Sequence, residues 1–496
     1  MKHLALTILF FWLTFFAIAQ NNTQIIRGVI LDKQSLSPII GASIVLLPNG
    51  NNGAKSNSKG EYEISQISPG RYELKISYIG YKELILPNIV VSSGKETIVD
   101  IVIEENIKSL KGAKIKGSNK GRTINELASV SARTFSMEEV NRYAGGRSDP
   151  ARLASNFAGV STPDDSRNDI VIRGNSPTGV LWRIEGMNVP NPNHFATVGT
   201  TGGPVSALNT NMLKNSDFMT SAFPAEYGNA NAGVFDLGFR KGNSEKREHT
   251  LQFGMLTGLE AMTEGPIKKG SGASYLLAYR YSFTGLAQAM GLSIGTTATP
   301  FYQDIAFKIN SGDSKLGRFS LFGMGGTSKI EFLHDNIDST DLFADPTSDS
   351  YFKSNLGVVG LKHFIKLNDK SYFNSVIGAT YSASDYLQDS IAVSDAAAAR
   401  IVENKATRIN YNASTSFNAK INSRLFIKIG AQAEWMNFDL QYRTRQFTPT
   451  WNQVWDFTDR TSLLQSFAHI KYSFSEKLTL NTGVHVQFLT LNNSTS

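Results

Sequence analysis

Ile170–Asn243 reads IVIRGNSPTGVLWRIEGMNVPNPNHFATVGTTGGPVSALNTNMLKNSDFMTSAFPAEYGNANAGVFDLGFRKGN. Short apolar segments alternate there with Gly, Pro and Asn at nearly every step. Such spacing predicts a small mixed domain with many loops, because these residues supply turns rather than helical faces. Downstream, the pattern changes to long stretches with strict two-residue alternation. Leu425, Ile427, Ile429, Ala431, Ala433 and Trp435 fall on one face, with Lys428, Gly430, Gln432 and Glu434 on the other. Leu478 to Phe488 repeats the pattern, with His485 and Gln487 on its polar side. Strands of about eleven residues are long for a soluble sandwich and match the roughly 9–11 residues of a tilted transmembrane strand.

About ten such segments begin near Thr250, Ala273, Tyr302, Leu316, Asn355, Tyr372, Arg408, Leu425, Leu464 and Leu478, at the spacing of alternating strands and turns. Tyr275, Tyr279, Tyr281 and Phe283 give one of them an aromatic face suited to a membrane interface. Gly323-Met324-Gly325-Gly326 falls inside a strand, where glycine marks a bulge or bend.

Composition agrees with a β-rich chain that has a lipid-facing or hidden surface. Of 496 residues, 18% are charged, against about a quarter in soluble domains. There are no cysteines, which excludes disulfides and thiolate metal sites. The net charge of +7 is spread along the chain without a block of like charges, so it does not point to nucleic acid. At the N-terminus, Lys2 and His3 precede the apolar run Leu4–Ile18, which closes on Ala17-Ile18-Ala19. The pattern is that of a cleaved export signal over 1–19, and the run is too short to span a bilayer.

Ile25 to Glu105 alternates apolar and polar residues between turns at Pro48-Asn49-Gly50, Ser58-Lys59-Gly60 and Ser68-Pro69-Gly70, which predicts a small antiparallel sandwich. Asn106 to Arg122 is a Lys-, Gly- and Ser-rich linker with little to bury. Within 123–243, Met137-Glu138-Glu139-Val140 opens one short helix. A second follows Asp149 as N-cap, with Pro150 in its first turn.

Several phrases carry family resemblance. Gly28-Val29-Ile30, Lys59-Gly60-Glu61-Tyr62, Pro69-Gly70-Arg71-Tyr72 and Gly80-Tyr81 resemble the carboxypeptidase-regulatory-like, transthyretin-like domain, which implies no peptidase. Ile172-Arg173-Gly174-Asn175, Ile184-Glu185-Gly186 and Phe223-Pro224-Ala225-Glu226-Tyr227-Gly228 resemble the plug of TonB-dependent outer-membrane receptors.

Together they imply a mainly β protein. Its order is an N-terminal β-sandwich (25–105), a linker (106–122), an α+β plug domain (123–243), then antiparallel transmembrane β-barrel strands (245–496). The implied location is the outer membrane. The implied partners are the TonB energy-transducing protein, outer-membrane lipid and an imported solute, with a surface lipoprotein as a candidate accessory. A barrel around a plug has about 22 strands, so about ten is an incomplete barrel and the expectation is of a chain truncated at its C-terminus.

The resemblance also assigns candidate residues. Leu110, Ala113 and Ile115 stand where the family carries its TonB box, a peptide that pairs by strand addition, although the acidic residues and valines usual there are missing and a plain basic linker explains the segment equally well. Arg173, Arg183 and Glu185 are candidates for buried ion pairs seating the plug, a role favoured over substrate contact. Asn193, His194 and Phe195 lie in a loop that in the family can face the outer vestibule; they are ligand-contact candidates or shape a turn. Trp451 and Trp455, in the loop Arg443–Thr461, can stack on sugars or aromatic chelates, or serve as girdle and loop packing. The loop after Ile184-Glu185-Gly186 differs from that of the glycan importers sharing the N-terminal domain.

Catalysis finds no support in the residues. The seven histidines, at 3, 194, 249, 334, 363, 469 and 485, show no helical metal-binding pair. Gly265 to Gly270 is followed by Ser271 rather than the Lys of a phosphate loop. Asp164-Asp165 and Asp335 with Asp338 are isolated acidic loops that are more often solvated than calcium-binding. No metal, cofactor or enzymatic activity is expected. Two functions remain: an energised importer, and a surface binding or adhesion protein without transport.

Overall fold

A computed structural model describes residues 23–48, 52–107, 124–125, 127–128, 131–143, 145–254, 258–284, 300–334, 347–391, 399–446, 449–491 and 494–495. The expected signal at 1–19, the candidate box residues Leu110, Ala113 and Ile115, and Asp335 and Asp338 lie outside them. The described residues divide into two compact units, the first built around residues 23–48 and 52–107 and the second around the plug region and the long strands.

The first unit is a sandwich of two sheets. One pairs Glu61–Ile67 with Gln24–Asp32, against which Thr97–Ile98 and Ile101–Ile103 also pair. The other runs Gly53–Lys55, Ser43–Leu47, Gly70–Ser77, Leu84–Val91. Both Thr97–Ile98 and Ile101–Ile103 lie parallel to Gln24–Asp32, so the sandwich is mixed rather than purely antiparallel. Alternation shows which residues are inward but cannot reveal the direction of a partner strand. Ile26, Ile30, Ile44, Leu74, Ile76 and Ile101 from both sheets are at most 2% exposed and form the centre of a core of fourteen buried apolar residues. Each large one contributes about 1.5–3 kcal/mol of burial. Residues 24–107 expressed alone are therefore expected to unfold in urea in a single transition, coincident by circular dichroism and tyrosine fluorescence. Two separated transitions would show that the core is not self-sufficient.

In the second unit, the plug region holds a five-stranded sheet in the order Met187–Val189, Val180–Ile184, Gly233–Leu237, Ser216–Met219, Ala132–Phe135. Only Val180–Ile184 and Gly233–Leu237 run parallel. Trp182 stacks on Phe235 at 4.2 Å, and Phe218 meets the same ring at 4.5 Å. Two short helices close on the sheet, α1 (Met137–Arg142) and α2 (Pro150–Ala154). Ser136 Oγ caps α1 by accepting from the Glu139 N–H at 3.1 Å, and Asp149 Oδ1 caps α2 by accepting from the Ala151 N–H at 2.8 Å.

The long strands form one antiparallel sheet, twelve strands among the described residues, each bonded to its neighbours in chain order from Glu248–Gly254 to Ser494–Thr495. The expected count of about ten omitted Gly258–Lys268 and the two-residue Ser494–Thr495. Connections at one end are short, such as 269–272, 369–370 and 421–424, whereas those at the other reach 282–300 and 333–347. Alternation is apolar outward and polar inward. Ile377, Tyr411, Ile429 and Leu464 are 58%, 52%, 50% and 42% exposed, while Thr380, Asn410, Glu434 and Gln465 on the same strands are buried. A water-soluble sheet would bury its apolar face; this one exposes it, as a lipid-facing wall does. Among the described residues no helix is long and apolar enough to cross a membrane.

The glycines of Arg318–Phe332 do not mark a bulge, because the pairing with Ser348–Asn368 runs without a register shift. They give room instead. A Cβ on Gly326 would stand 2.7 Å from Cε1 of the plug residue His194.

Candidate functional site

The polar inner face of the wall meets the plug through buried charge pairs. Glu185 and Gly186 form a two-residue hairpin loop between Val180–Ile184 and Met187–Val189, with φ of +55° and +92°. Left-handed φ at both loop positions suits the twist of a tight hairpin. This turn delivers the Glu185 carboxylate to Lys308 Nζ at 2.6 Å and Lys362 Nζ at 3.0 Å, on two different wall strands. Oε1 also accepts from the Phe239 N–H at 2.8 Å. Burial would raise this carboxyl, but Lys308, then Lys362, hold it well below the usual carboxylate range.

A second cluster centres on Glu226, in the turn Phe223–Gly228. Its carboxylate meets Lys428 of the wall at 2.6 Å and Arg183 of the plug at 3.2 Å, and it accepts from Asn125 Nδ2 at 2.9 Å. Against the upward push of burial, Lys428 and Arg183 bring its pKa down to about 2. The Arg183 guanidinium lies 5.0 Å from the Tyr227 ring centre, and the Tyr227 hydroxyl donates to Asp236 at 2.6 Å. The wall also grips the backbone of this turn. Gln432 Nε2 donates to the Glu226 carbonyl at 2.8 Å, His485 Nδ1 to the Ala225 carbonyl at 2.7 Å, and the Ala225 N–H to His469 Nδ1 at 3.2 Å.

Further contacts surround these. Arg240 embraces Glu264 with bonds of 2.6 and 2.7 Å, and Asn211 donates to Glu260 at 2.8 Å. Both carboxylates belong to Gly258–Lys268, the strand that composition concealed. His194 Nε2 is 3.0 Å from Asp304, which also receives Arg280 at 2.8 Å. The next amide, Phe195 N–H, donates to Ser328 Oγ at 2.9 Å.

Asn193, His194 and Phe195 are thus buried rather than facing a vestibule: His194 is 0% exposed, and Asn193 donates to Asn191 within its own loop. Burial lowers the His194 pKa against the opposing pull of Asp304. Replacing Gly326 by Val is expected to displace this ring and cost about 1–3 kcal/mol, the usual range for overpacking. Faster hydrogen exchange at the Phe195 amide would report it, and unchanged exchange would show that the ring has room.

The three expected seating residues separate. Glu185 pairs with the wall and Arg183 with Glu226 inside the plug. Arg173 is instead solvent-exposed, 3.3 Å from Ser131 Oγ, on a left-handed turn with φ +50°. Trp451 and Trp455 belong to the hairpin joining Leu425–Thr444 to Asn452–Ser473. Arg443 and Arg445 lie 4.6 and 5.0 Å from the Trp451 ring centre, and Trp455 packs on Tyr442 at 4.7 Å. Asp164 is exposed and bonded to Ser166. Among the described residues no cluster of three or more metal-ligating His, Cys, Asp or Glu side chains occurs. Sequence reasoning placed Lys428 and His485 on a polar strand face but did not connect them with the plug. Lys308 and Lys362 went unnoticed, and His469 was counted only among the histidines; their inward parity within apolar-outward strands was the available signal.

An inward-polar, outward-apolar sheet bonded to a mixed domain is a fold that this chain shares with solved outer-membrane proteins, and here it follows a CarboxypepD_reg-like domain. Residues 26–113 match the CarboxypepD_reg-like domain family. The structure is similar to the outer membrane transporter YddB from Escherichia coli, at 13% identity, 74% coverage of this chain, 57% of that one and a TM-score of 0.50. It is also similar to the pyoverdine outer membrane receptor FpvA from Pseudomonas aeruginosa PAO1, at 11% identity, with coverages of 68% and 54% and a TM-score of 0.50. At such identities the likeness is one of fold, and this chain spans little more than half the length of either structure. No curated protein matches the sequence.

Proposed function

We propose that this chain acts in the outer membrane as part of a TonB-dependent receptor, in which a solute bound above the plug is admitted when the energy-transducing partner pulls on the linker before residue 123. The observation carrying this reading is the plug's attachment through ion pairs on an otherwise polar inner wall. Buried pairs hold firmly while all partners are present, yet loss of one partner costs about 3–5 kcal/mol, so such a seat can be released by displacing a few groups. The outward apolar face supports the membrane location. Trp451 with its flanking arginines, at the long-connection end, is the candidate first contact for an aromatic or anionic solute.

The test compares cells carrying the protein with cells carrying it without Leu110–Ser118, using labelled ferric siderophores, cobalamin, oligopeptides and oligosaccharides. Loss of accumulation of one of these with surface binding kept is the expected result. Accumulation unaffected by the deletion would favour the alternative, a surface binding protein without energised transport.

A further inference from the structure

The chain that emerges from the linker is tied directly into the Glu226 cluster. Asp217, at 3% exposure, accepts from the Ile124 N–H at 3.0 Å and the Asn125 N–H at 2.6 Å, and also bonds the Thr134 hydroxyl. The Asn125 side chain then divides its work. Its Oδ1 accepts from the Leu127 N–H at 2.9 Å, shaping a local turn. Its Nδ2 donates to Glu226 Oε1 at 2.9 Å and approaches the Tyr227 hydroxyl at 2.8 Å. Glu226 Oε1 is the same atom that receives Lys428 from the wall at 2.6 Å. One amide group therefore stands between the linker and a buried plug–wall ion pair.

The other major pair is organised differently. Glu185 takes its partners from Lys308, Lys362 and Phe239. Its hairpin is joined to the rest of the plug by sheet pairing, with Val180–Ile184 lying between Met187–Val189 and Gly233–Leu237. A pull at residue 123 meets the Asp217 bonds and Asn125 first. It reaches Glu185 only beyond them, through the sheet and through Arg183, which pairs with Glu226 at 3.2 Å and stands two residues before Glu185.

We propose that Asn125 passes tension from the linker to the Glu226–Lys428 pair, so that the turn Phe223–Gly228 leaves the wall first while Glu185 stays paired with Lys308 and Lys362. This rests on the transport reading for its biological meaning, but the coupling is a property of the resting molecule. Withdrawing Asn125 removes a donor from a fully buried carboxylate that needs every partner it has. The movement is carried into the backbone of the turn, which the wall holds at Ala225 and Glu226 through His469, His485 and Gln432. The parting then begins along Leu425–Thr444, Asn452–Ser473 and Thr479–Leu489, the strands that bear those side chains. Asn125 is a positioning residue in this scheme, since it acts through Glu226.

Asn125→Asp separates the two jobs of the side chain. It keeps an oxygen for the Leu127 amide and exchanges the Nδ2 donor for a charge that repels Glu226. In the membrane-inserted protein, hydrogen exchange in peptides covering Ala225–Tyr227 is expected to rise about tenfold, the scale of one lost hydrogen bond to a charged group. Exchange at Phe239, whose amide is held by Glu185, is expected to stay unchanged. Lys428→Met alone should raise exchange at Ala225–Tyr227 similarly. The double variant should exceed the larger single effect only slightly, as expected for residues acting on one carboxylate. An equal rise at Ala225 and Phe239 would mean general loosening and would overturn the proposal, as would no change at Ala225 or additive effects in the double variant. No energy source or solute enters these measurements. They can fail while the linker deletion still abolishes uptake, and the reverse is equally possible.

Discussion

Glu185→Gln is expected to destabilise the seated plug by about 3–5 kcal/mol, because it leaves the buried Lys308, and beside it the partly buried Lys362, facing a neutral amide. The replacement fits the same left-handed turn and keeps an acceptor for the Phe239 amide, so the loss is electrostatic rather than steric. Hydrogen exchange across the central strands Val180–Ile184 and Gly233–Leu237 would measure it as accelerated opening. Removing the whole cluster, with Glu185→Leu, Lys308→Met and Lys362→Met together, should recover most of the loss, since a buried ion pair replaced by apolar groups of similar size is often neutral. A single variant within about 0.5 kcal/mol of the parent would show that the lysines are hydrated and the pair dispensable.

The same carboxylate predicts a pH dependence. Its pKa in the folded plug lies far below the value of about 4.3 for an unfolded Glu. Its stabilisation is therefore fully present above that unfolded value and is lost as the pH falls toward the folded one. Acid should loosen the plug of the parent below about pH 4, and the Gln variant should lack this component of the slope.

How far the sequence could lead is seen by setting such residues side by side. Asp149 and Pro150 announce α2 because a cap and its helix are neighbours in the chain. The inward and outward faces of Leu425–Thr444 were likewise legible, since alternation is a local property. Gly258–Lys268 was not, with Glu260, Glu264, Gly265 and Pro266 arguing against a strand. Its carboxylates make sense only once Asn211 and Arg240 of the plug are opposite them. Glu185 could be suspected of pairing, but Lys308 and Lys362 lie 123 and 177 positions away and nothing local points to them. Arg173 misled for the complementary reason. Its setting beside Gly174 specifies a turn, and a turn at the plug surface leaves the guanidinium in water.

The outward face allows the most direct test of what solvent this sheet was built for. Phe373 packs on Phe417 across neighbouring strands at 5.3 Å, and eight residues further along the first of them Tyr381 points to the same side, with Tyr411 nearby on the next strand. At about 3.4 Å per residue, Phe373 and Tyr381 stand about 27 Å apart along the strand, which a tilt of about 40° projects to about 21 Å along the membrane normal, so the two lie near the edges of an apolar band about 25 Å tall, where the aromatic girdles sit. Ile377 is midway between them, 58% exposed, paired with Leu361 on one side and Ala413 on the other. If lipid surrounds this band, Ile377→Arg places a guanidinium at the midplane and costs about 2–4 kcal/mol, whereas Leu387→Arg, six residues beyond Tyr381 on the same face, costs about 0–1 kcal/mol. In water the order would vanish, since an exposed isoleucine can be replaced by arginine at almost no cost. The expected result is a clear loss of assembled protein in the outer-membrane fraction for Ile377→Arg and near-parental recovery for Leu387→Arg. Equal recovery of the two variants would mean that the band does not face lipid, and the membrane reading of the sheet would fall with it.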